Sequence, residues 1–306
     1  MNYLIIGGSS YSGKCTIQAI RETDASATII STTSGEREVP GVEHTIHGID
    51  LAQADAPERV KSGLADLAGS LSKEGAAGRD GGKSSETPPL RALIYIPARG
   101  EVGMPARLAT KAQVDDAVDY CITPMLKMMA SLQPELTVCY SGFITMDPLL
   151  QCYGAMSFVK IAMEDFVIRH QDRMRVIRFG MFPSNSVRGI GLLVQRNTMR
   201  KLYPEYEVMY DEWKASKKKF IDYFYDKNYV FEEKSYSHVS EEPFRPTNEQ
   251  DIVDGVKFAL NTEANAAPIV NVLGSWLWTD DAMPDLPPVI ADNPALMPEN
   301  LERHLQ

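Results

Sequence analysis

Short apolar runs alternate with amphipathic stretches along the first 180 residues, and this alternation limits the fold more than any other feature. Tyr3-Leu-Ile-Ile6 ends in Gly7-Gly8 and reads as a buried strand. Ala27–Ser31, Thr45–Ile49, Leu93–Ile96, Leu136–Tyr140 and Arg175–Phe179 repeat the pattern, and Ile269–Leu273 supplies a last strand. Between them, Lys14–Glu22, Pro57–Leu71, Val114–Leu132 and Tyr153–Arg169 carry helical spacing. Lys73–Pro89 is rich in Gly, Ser and Lys and reads as a surface loop. Strands that alternate with helices need crossover connections, which predicts an α/β fold with a doubly wound, mainly parallel sheet.

The pattern breaks at Leu192. Leu192–Ser237 is dense in Tyr, Phe and Lys and reads mostly as helix. The expectation is a single domain over 1–306 with a helical, aromatic-rich insertion at 192–240. Two roles stay open for the insertion: a lid and wall over an apolar pocket, or a helical subdomain or dimer contact. Lys217-Lys-Lys219 reads as a solvated face. Thr247, with Gln250 three residues on, reads as the N-cap of a later helix. The Pro-rich tail after Asp280 reads as irregular.

The 306 residues suit one large domain, and the net charge of -10 argues against nucleic acid or anionic membrane as a partner. Cys15, Cys121, Cys139 and Cys152 form no CxxC pair and read as reduced thiols. No apolar run approaches the ~18 residues that span a bilayer, and no signal peptide precedes the first strand. A cytoplasmic protein is expected. The five histidines make no metal-type cluster, so no metal is expected.

A Gly-rich turn between a first strand and a first helix places backbone N–H groups and a helix dipole at a phosphate. Gly7-Gly-Ser9-Ser10-Tyr11-Ser-Gly13 stands in that position, though it departs from Gly-x-Gly-x-x-Gly. Asp50, with Leu51, follows the third strand, where an acidic side chain could meet the adenine amino group. Pro97 and Ala98 follow the fourth strand, at the carboxyl edge where ligands bind. The second strand ends Ser31-Thr-Thr-Ser34 and lacks the acidic residue that holds a free ribose 2′-OH. Hydroxyls there, with Arg37 or Lys14 nearby, accept a 2′-phosphate, so NADP(H) is expected over NAD(H).

Tyr153 and Lys160 are seven positions apart, which on one helix puts both side chains near one face. A lysine ammonium beside a phenol strengthens it as an acid, and the same lysine can hydrogen-bond the ribose of a bound dinucleotide. Tyr153 is the expected proton or hydrogen-bond donor to a substrate oxygen.

The order of these parts resembles the short-chain dehydrogenase/reductase family over residues 1–190 and 245–275, which implies a Rossmann-type sheet. The family's common Tyr-x-x-x-Lys is absent: Met156 stands four residues before Lys160. Tyr153-x-x-Met156-x-x-x-Lys160 is instead similar to the enoyl-acyl-carrier-protein reductases, as are Leu136-Thr-Val-Cys-Tyr140-Ser-Gly142 and Gly180-Met-Phe-Pro-Ser184. The resemblance implies NAD(P)H-dependent reduction of an activated double bond in a small-molecule or thioester substrate. Tyr140 would face the thioester, Met156 would pack beside the nicotinamide, and the region from Gly180 to the Ser184 hydroxyl would meet the pyrophosphate. In a carbonyl reductase or alcohol dehydrogenase, Ser141 would orient the carbonyl instead. A third reading is a protein that senses NADP(H) without turnover. The resemblance also implies a dimer or tetramer formed through the two long helices.

Overall fold

The computed structural model describes residues 1–74, 87–263 and 265–305. Eight strands form one sheet in the order β3-β2-β1-β4-β5-β6-β7-β8. They are β1 (Asn2–Ile6), β2 (Thr28–Thr32), β3 (His44–Ile46), β4 (Ala92–Tyr95), β5 (Leu136–Gly142), β6 (Met174–Phe179), β7 (Ile269–Leu273) and β8 (Trp276–Asp280). All neighbours pair in parallel except β7 and β8, which are antiparallel. The winding reverses between β1 and β4, which opens a crevice at the carboxyl ends of these strands.

The helices, in chain order, are α1 (Tyr11–Thr23), α2 (Ala56–Glu74), α3 (Lys111–Cys121), α4 (Thr123–Leu132), α5 (Asp147–Leu150), α6 (Met156–Arg169), α7 (Asn185–Met199), α8 (Pro204–Ser216), α9 (Phe220–Tyr236) and α10 (Glu249–Leu260). α1 and α10 cover one face of the sheet, where Tyr3, Ile5, Val138 and Tyr140 meet Ile17, Ile20, Ile252 and Val256. α2, α3, α4 and α6 cover the other, where Leu4, Ile6, Leu93 and Cys139 meet Val60, Val118, Leu126 and Phe158. Both faces are buried, so the strands read as unbroken apolar runs. A third core holds α7, α8 and α9 as a cap: Val194, Tyr206, Phe220 and Phe224 pack on Phe143, Leu149, Cys152 and Trp276.

Several expectations shift by local chemistry. The long helix over 114–132 is two helices, broken at Ile122 (φ -118, ψ -53), with Pro124 in the first turn of the second. Proline lacks the N–H that would continue a helix, but it is tolerated where a helix begins. The helical insertion starts at Asn185 rather than 192, because the Ser184 side chain caps α7 by accepting the Val187 N–H at 3.2 Å. Asn248, not Thr247, caps α10, in a reciprocal box with Asp251. The Thr247 hydroxyl instead accepts the Gly274 N–H at 2.9 Å. Ile269–Leu273 is not the last strand: Gly274 (φ +59) turns the chain directly into β8. Of the expected loop 73–89, Lys73 and Glu74 end α2, and 75–86 lie outside the described residues.

The tail after Asp280 makes short helical turns that dock on the α3–α4–α6 face, where Ile290 and Leu301 enter the main core. An ion pair between Arg169 and Glu302 ties it down. No helix among the described residues is long and apolar enough to cross a membrane.

Candidate functional site

A cleft of about 1310 Å³ runs along the carboxyl edge of the sheet. It starts at Thr32–Ser34, Asp50 and Leu51, passes the turn at Gly7–Ser12, and ends between Tyr153, Lys160 and the cap.

The turn is held by its own hydrogen bonds. Gly7 sits at φ +91. The Ser10 hydroxyl donates to the Gly7 carbonyl at 2.8 Å and accepts the Gly13 N–H at 3.0 Å, which caps α1. Ser10 stands where the Gly-x-Gly-x-x-Gly pattern has its second glycine, and its hydroxyl is spent on the turn. Gly13 is required by space, since a Cβ there would lie 2.5 Å from both the Gly7 and the Gly8 carbonyl oxygens. The N–H groups of Tyr11 and Ser12 are left without partners among the described residues, at the positive end of α1. A second helix N-terminus, that of α7 at Ser184, Asn185 and Ser186, lines the same cleft. Lys14, Arg99, Lys160 and Arg188 line it too, against Asp50 and Glu232, a balance that suits phosphates. The Tyr11 and Phe182 rings stack at 5.6 Å, linking the turn to the segment after β6.

Most expected cofactor residues meet here: Gly7, Ser9, Ser10, Tyr11, Asp50, Leu51, Pro97, Ala98, Lys160, Gly180 and Ser184 all line the cleft. Gly13 supports the turn from behind. Ser31 and Arg37 do not belong. Ser31 is fully buried and its hydroxyl donates to the Ile5 carbonyl at 2.9 Å. Arg37 is exposed and outside the cleft. Of the same expected group, Thr32, Thr33, Ser34 and Lys14 do line the cleft.

The Tyr153–Lys160 relation differs from the expectation. Gly154 adopts φ +51, where a Cβ would stand 2.6 Å from the Glu101 carbonyl, and α6 starts only at Met156. Tyr153 therefore precedes the helix, in a bridge to Met104, and does not share a helical face with Lys160. It is half-buried between the main core and the cap core. Burial pushes its phenol well above the usual range, aided by the nearby Cys121 and Cys152 thiols. Its hydroxyl has no hydrogen-bond partner among the described residues, and it lines the cleft. The Lys160 ammonium, buried to 5% exposure, donates to the Tyr140 carbonyl at 2.6 Å. β4 ends opposite Cys139, so the β5 backbone beyond it has no β4 partner and the lysine satisfies it.

Side chains of a strand alternate between faces. Tyr140 accordingly points to the α1 side, shares a 2.6 Å hydrogen bond with Thr16, and packs edge-on against Phe179. It is a core tyrosine reaching the cleft wall, not a group aimed at a substrate. Ser141 faces α6 and donates to Glu164 at 2.5 Å. Glu164 and Arg178, missed by the sequence reading, form a buried pair at 2.6 Å that extends to Asp280 at 3.2 Å. Burial lowers the Arg178 pKa, but the Glu164 carboxylate outweighs it and the net shift is upward. Met156 lines the cleft, with its sulfur 2.6 Å from where a Cβ on Gly100 would stand.

Solved structures share this fold. An enoyl-(acyl-carrier-protein) reductase from Anaplasma phagocytophilum, in complex with NAD, is 13% identical, with a TM-score of 0.58 over 90% of this chain and 93% of that one. The RhlG/NADP active-site complex of Pseudomonas aeruginosa is 14% identical, with a TM-score of 0.51 over 90% of this chain and 94% of that one. The chain shares the doubly wound, Rossmann-type fold of these two enzymes. The ADP-L-glycero-D-manno-heptose-6-epimerase of Helicobacter pylori, 11% identical, has a TM-score of 0.50 over 91% of this chain and 78% of that one. No family model and no curated protein matches the chain.

Proposed function

We propose that the protein is a nicotinamide-dinucleotide oxidoreductase that reduces an activated carbon–carbon double bond in a small-molecule or thioester substrate, with NADP(H) preferred. The observation that carries this reading is convergence: the open N-terminus of α1 shares one cleft with Tyr153, Met156 and Lys160 at the point where the winding reverses. The residues present fit a dinucleotide. Thr32, Thr33, Ser34 and Lys14 suit a phosphorylated adenosine ribose, and the free amides of Tyr11 and Ser12 suit the pyrophosphate.

A bound nicotinamide supplies the hydride. The raised Tyr153 phenol stays protonated at neutral pH, so it acts as a donor to the oxygen on which negative charge develops. That suits reduction better than alcohol oxidation, which needs a base. Lys160 anchors the end of β5 and brings positive charge to the same wall. Ile144, Leu149, Ile190, Leu193 and Phe224 give the substrate end an apolar lining fit for an acyl chain. The Ser141 hydroxyl is committed to Glu164, which counts against a carbonyl reductase that needs it free.

One observation favours a sensor without turnover: Lys160 is bonded to backbone rather than poised beside Tyr153. The test is NADPH and NADH oxidation with a short enoyl thioester and its β-keto analogue, in wild type and Tyr153→Phe. Turnover of the enoyl substrate alone, lost in the variant, supports the proposal. Turnover of the keto substrate alone overturns the enoyl reading, and NADPH binding without turnover of either leaves the sensor.

A further inference from the structure

The cap contributes one carboxyl group to the cleft, and none of these roles uses it. Glu232 on α9 lines the cleft and is 1% exposed. Its Oε1 accepts the Met181 N–H at 2.5 Å, joining α9 to the segment that follows β6. Gly180, beside it, is required by space, since a Cβ there would stand 2.5 Å from Leu273 Cδ1 and 2.8 Å from Thr247 Oγ1. Oε2 has no partner. One turn earlier on the same helix, Asn228 gives its Nδ2 to the Phe224 carbonyl at 2.7 Å and leaves Oδ1 without a donor. Side by side on α9, Asn228 Oδ1 and Glu232 Oε2 are thus two buried acceptors with no donor among the described residues. An ionised carboxylate would bring an uncompensated charge to these buried acceptors, whereas a neutral acid turns Oε2 into a donor. Burial pushes the carboxyl up to about 8, against the lowering effect of the Met181 N–H.

We propose that Glu232 is a hydrogen-bond donor of the site: a neutral carboxylic acid whose Oε2–H binds a carbonyl oxygen of the molecule held in the cleft. The inference rests on the oxidoreductase reading. Two bound molecules carry such an oxygen, the substrate and the carboxamide of the nicotinamide, and the test separates them. A neutral acid is the form that fits here because a donor is what a carbonyl oxygen lacks in a dry wall. Glutamine at this position keeps the shape and an N–H donor, while methionine keeps the volume and has none.

The experiment compares wild type, Glu232→Gln and Glu232→Met, each first shown folded by circular dichroism and thermal melting. Infrared difference spectra on adding NADPH, then the enoyl thioester, read the C=O stretch of a protonated carboxylic acid. The expected result is such a band in wild type that shifts on ligand addition and is missing in Glu232→Gln. In parallel, Glu232→Met loses affinity about tenfold or more, the cost of one buried hydrogen bond, and Glu232→Gln keeps most of it. A loss in NADPH binding assigns the contact to the carboxamide; unchanged NADPH binding with a lower kcat/KM assigns it to the substrate. Wild type that binds while Glu232→Met matches it in both measurements overturns the inference alone, as does a wild-type spectrum with no ligand-sensitive acid band. Wild type that binds neither NADPH nor NADH overturns the oxidoreductase reading and the inference with it.

Discussion

The two ends of the cleft satisfy their polar groups in opposite ways. At the phosphate turn every closing bond is local: Ser10 bonds Gly7 and Gly13, three residues away on either side. At the cap end the bonds join distant segments: Ser141 to Glu164, Glu164 to Arg178, Arg178 to Asp280, and Glu232 to Met181. The buried polar atoms that stay unpaired among the described residues, such as Tyr206 Oη, Asn228 Oδ1 and Glu232 Oε2, all come after residue 136. A site built from neighbours in sequence closes by itself. A site built from distant segments depends on the whole fold, and leaves acceptors that only a ligand, a proton or a solvent molecule can meet.

The largest effect should come from breaking the long-range end. Arg178→Met leaves the Glu164 carboxyl buried without its cation, held only by the Ser141 hydroxyl, and is expected to destabilise the protein by about 3–5 kcal/mol in urea unfolding. A loss below about 1 kcal/mol would mean that the pair is less sealed than its geometry shows. Glu232 comes next. Its folded-state pKa, raised from 4.5 to about 8, means that the folded protein keeps a proton the unfolded chain has released. Its contribution to stability is therefore full below about 4.5, falls as pH rises toward about 8, and levels off above it, a loss on the order of 5 kcal/mol. Glu232→Gln should remove this component, and identical pH profiles for the two proteins would refute the assignment.

At the local end, Gly13→Ala drives a Cβ against two carbonyl oxygens and should cost about 1–3 kcal/mol, with NADPH binding weakened in step. Normal affinity in that variant would place the phosphates elsewhere. The smallest effect tests the seam between the two ends. Tyr140→Phe removes only the hydrogen bond to Thr16, so about 1 kcal/mol of stability should go while turnover stays within about twofold. A large loss of turnover would restore Tyr140 to the substrate.

The doubly wound sheet was legible because each strand is an apolar run bounded by turn residues, and a strand buried on both faces has no other pattern to show. The Gly7–Gly13 turn was legible for the same local reason. Tyr140 was misread although the alternation of β5 already places it opposite Ser141 and α6. The helix through Tyr153 was misread because a glycine inside a helical pattern does not declare its φ, and the close approach of the Glu101 carbonyl to Gly154 comes from a distant loop. Glu164 and Arg178 gave no signal at all, since charged residues within a helix or strand ordinarily read as surface.

What the amino-acid sequence determined by itself is the sheet, its winding, and the phosphate turn at the carboxyl end of β1. These follow from hydrophobic period and from residues that bond their near neighbours. What only the tertiary structure decided is which groups the cleft presents: Lys160 turned to the Tyr140 carbonyl, Ser141 held by Glu164, the Tyr153 phenol left unbonded, and Glu232 buried against Met181. Each of these depends on segments tens of residues apart meeting at one strand edge, and on the loss of water there that sets which groups keep a proton.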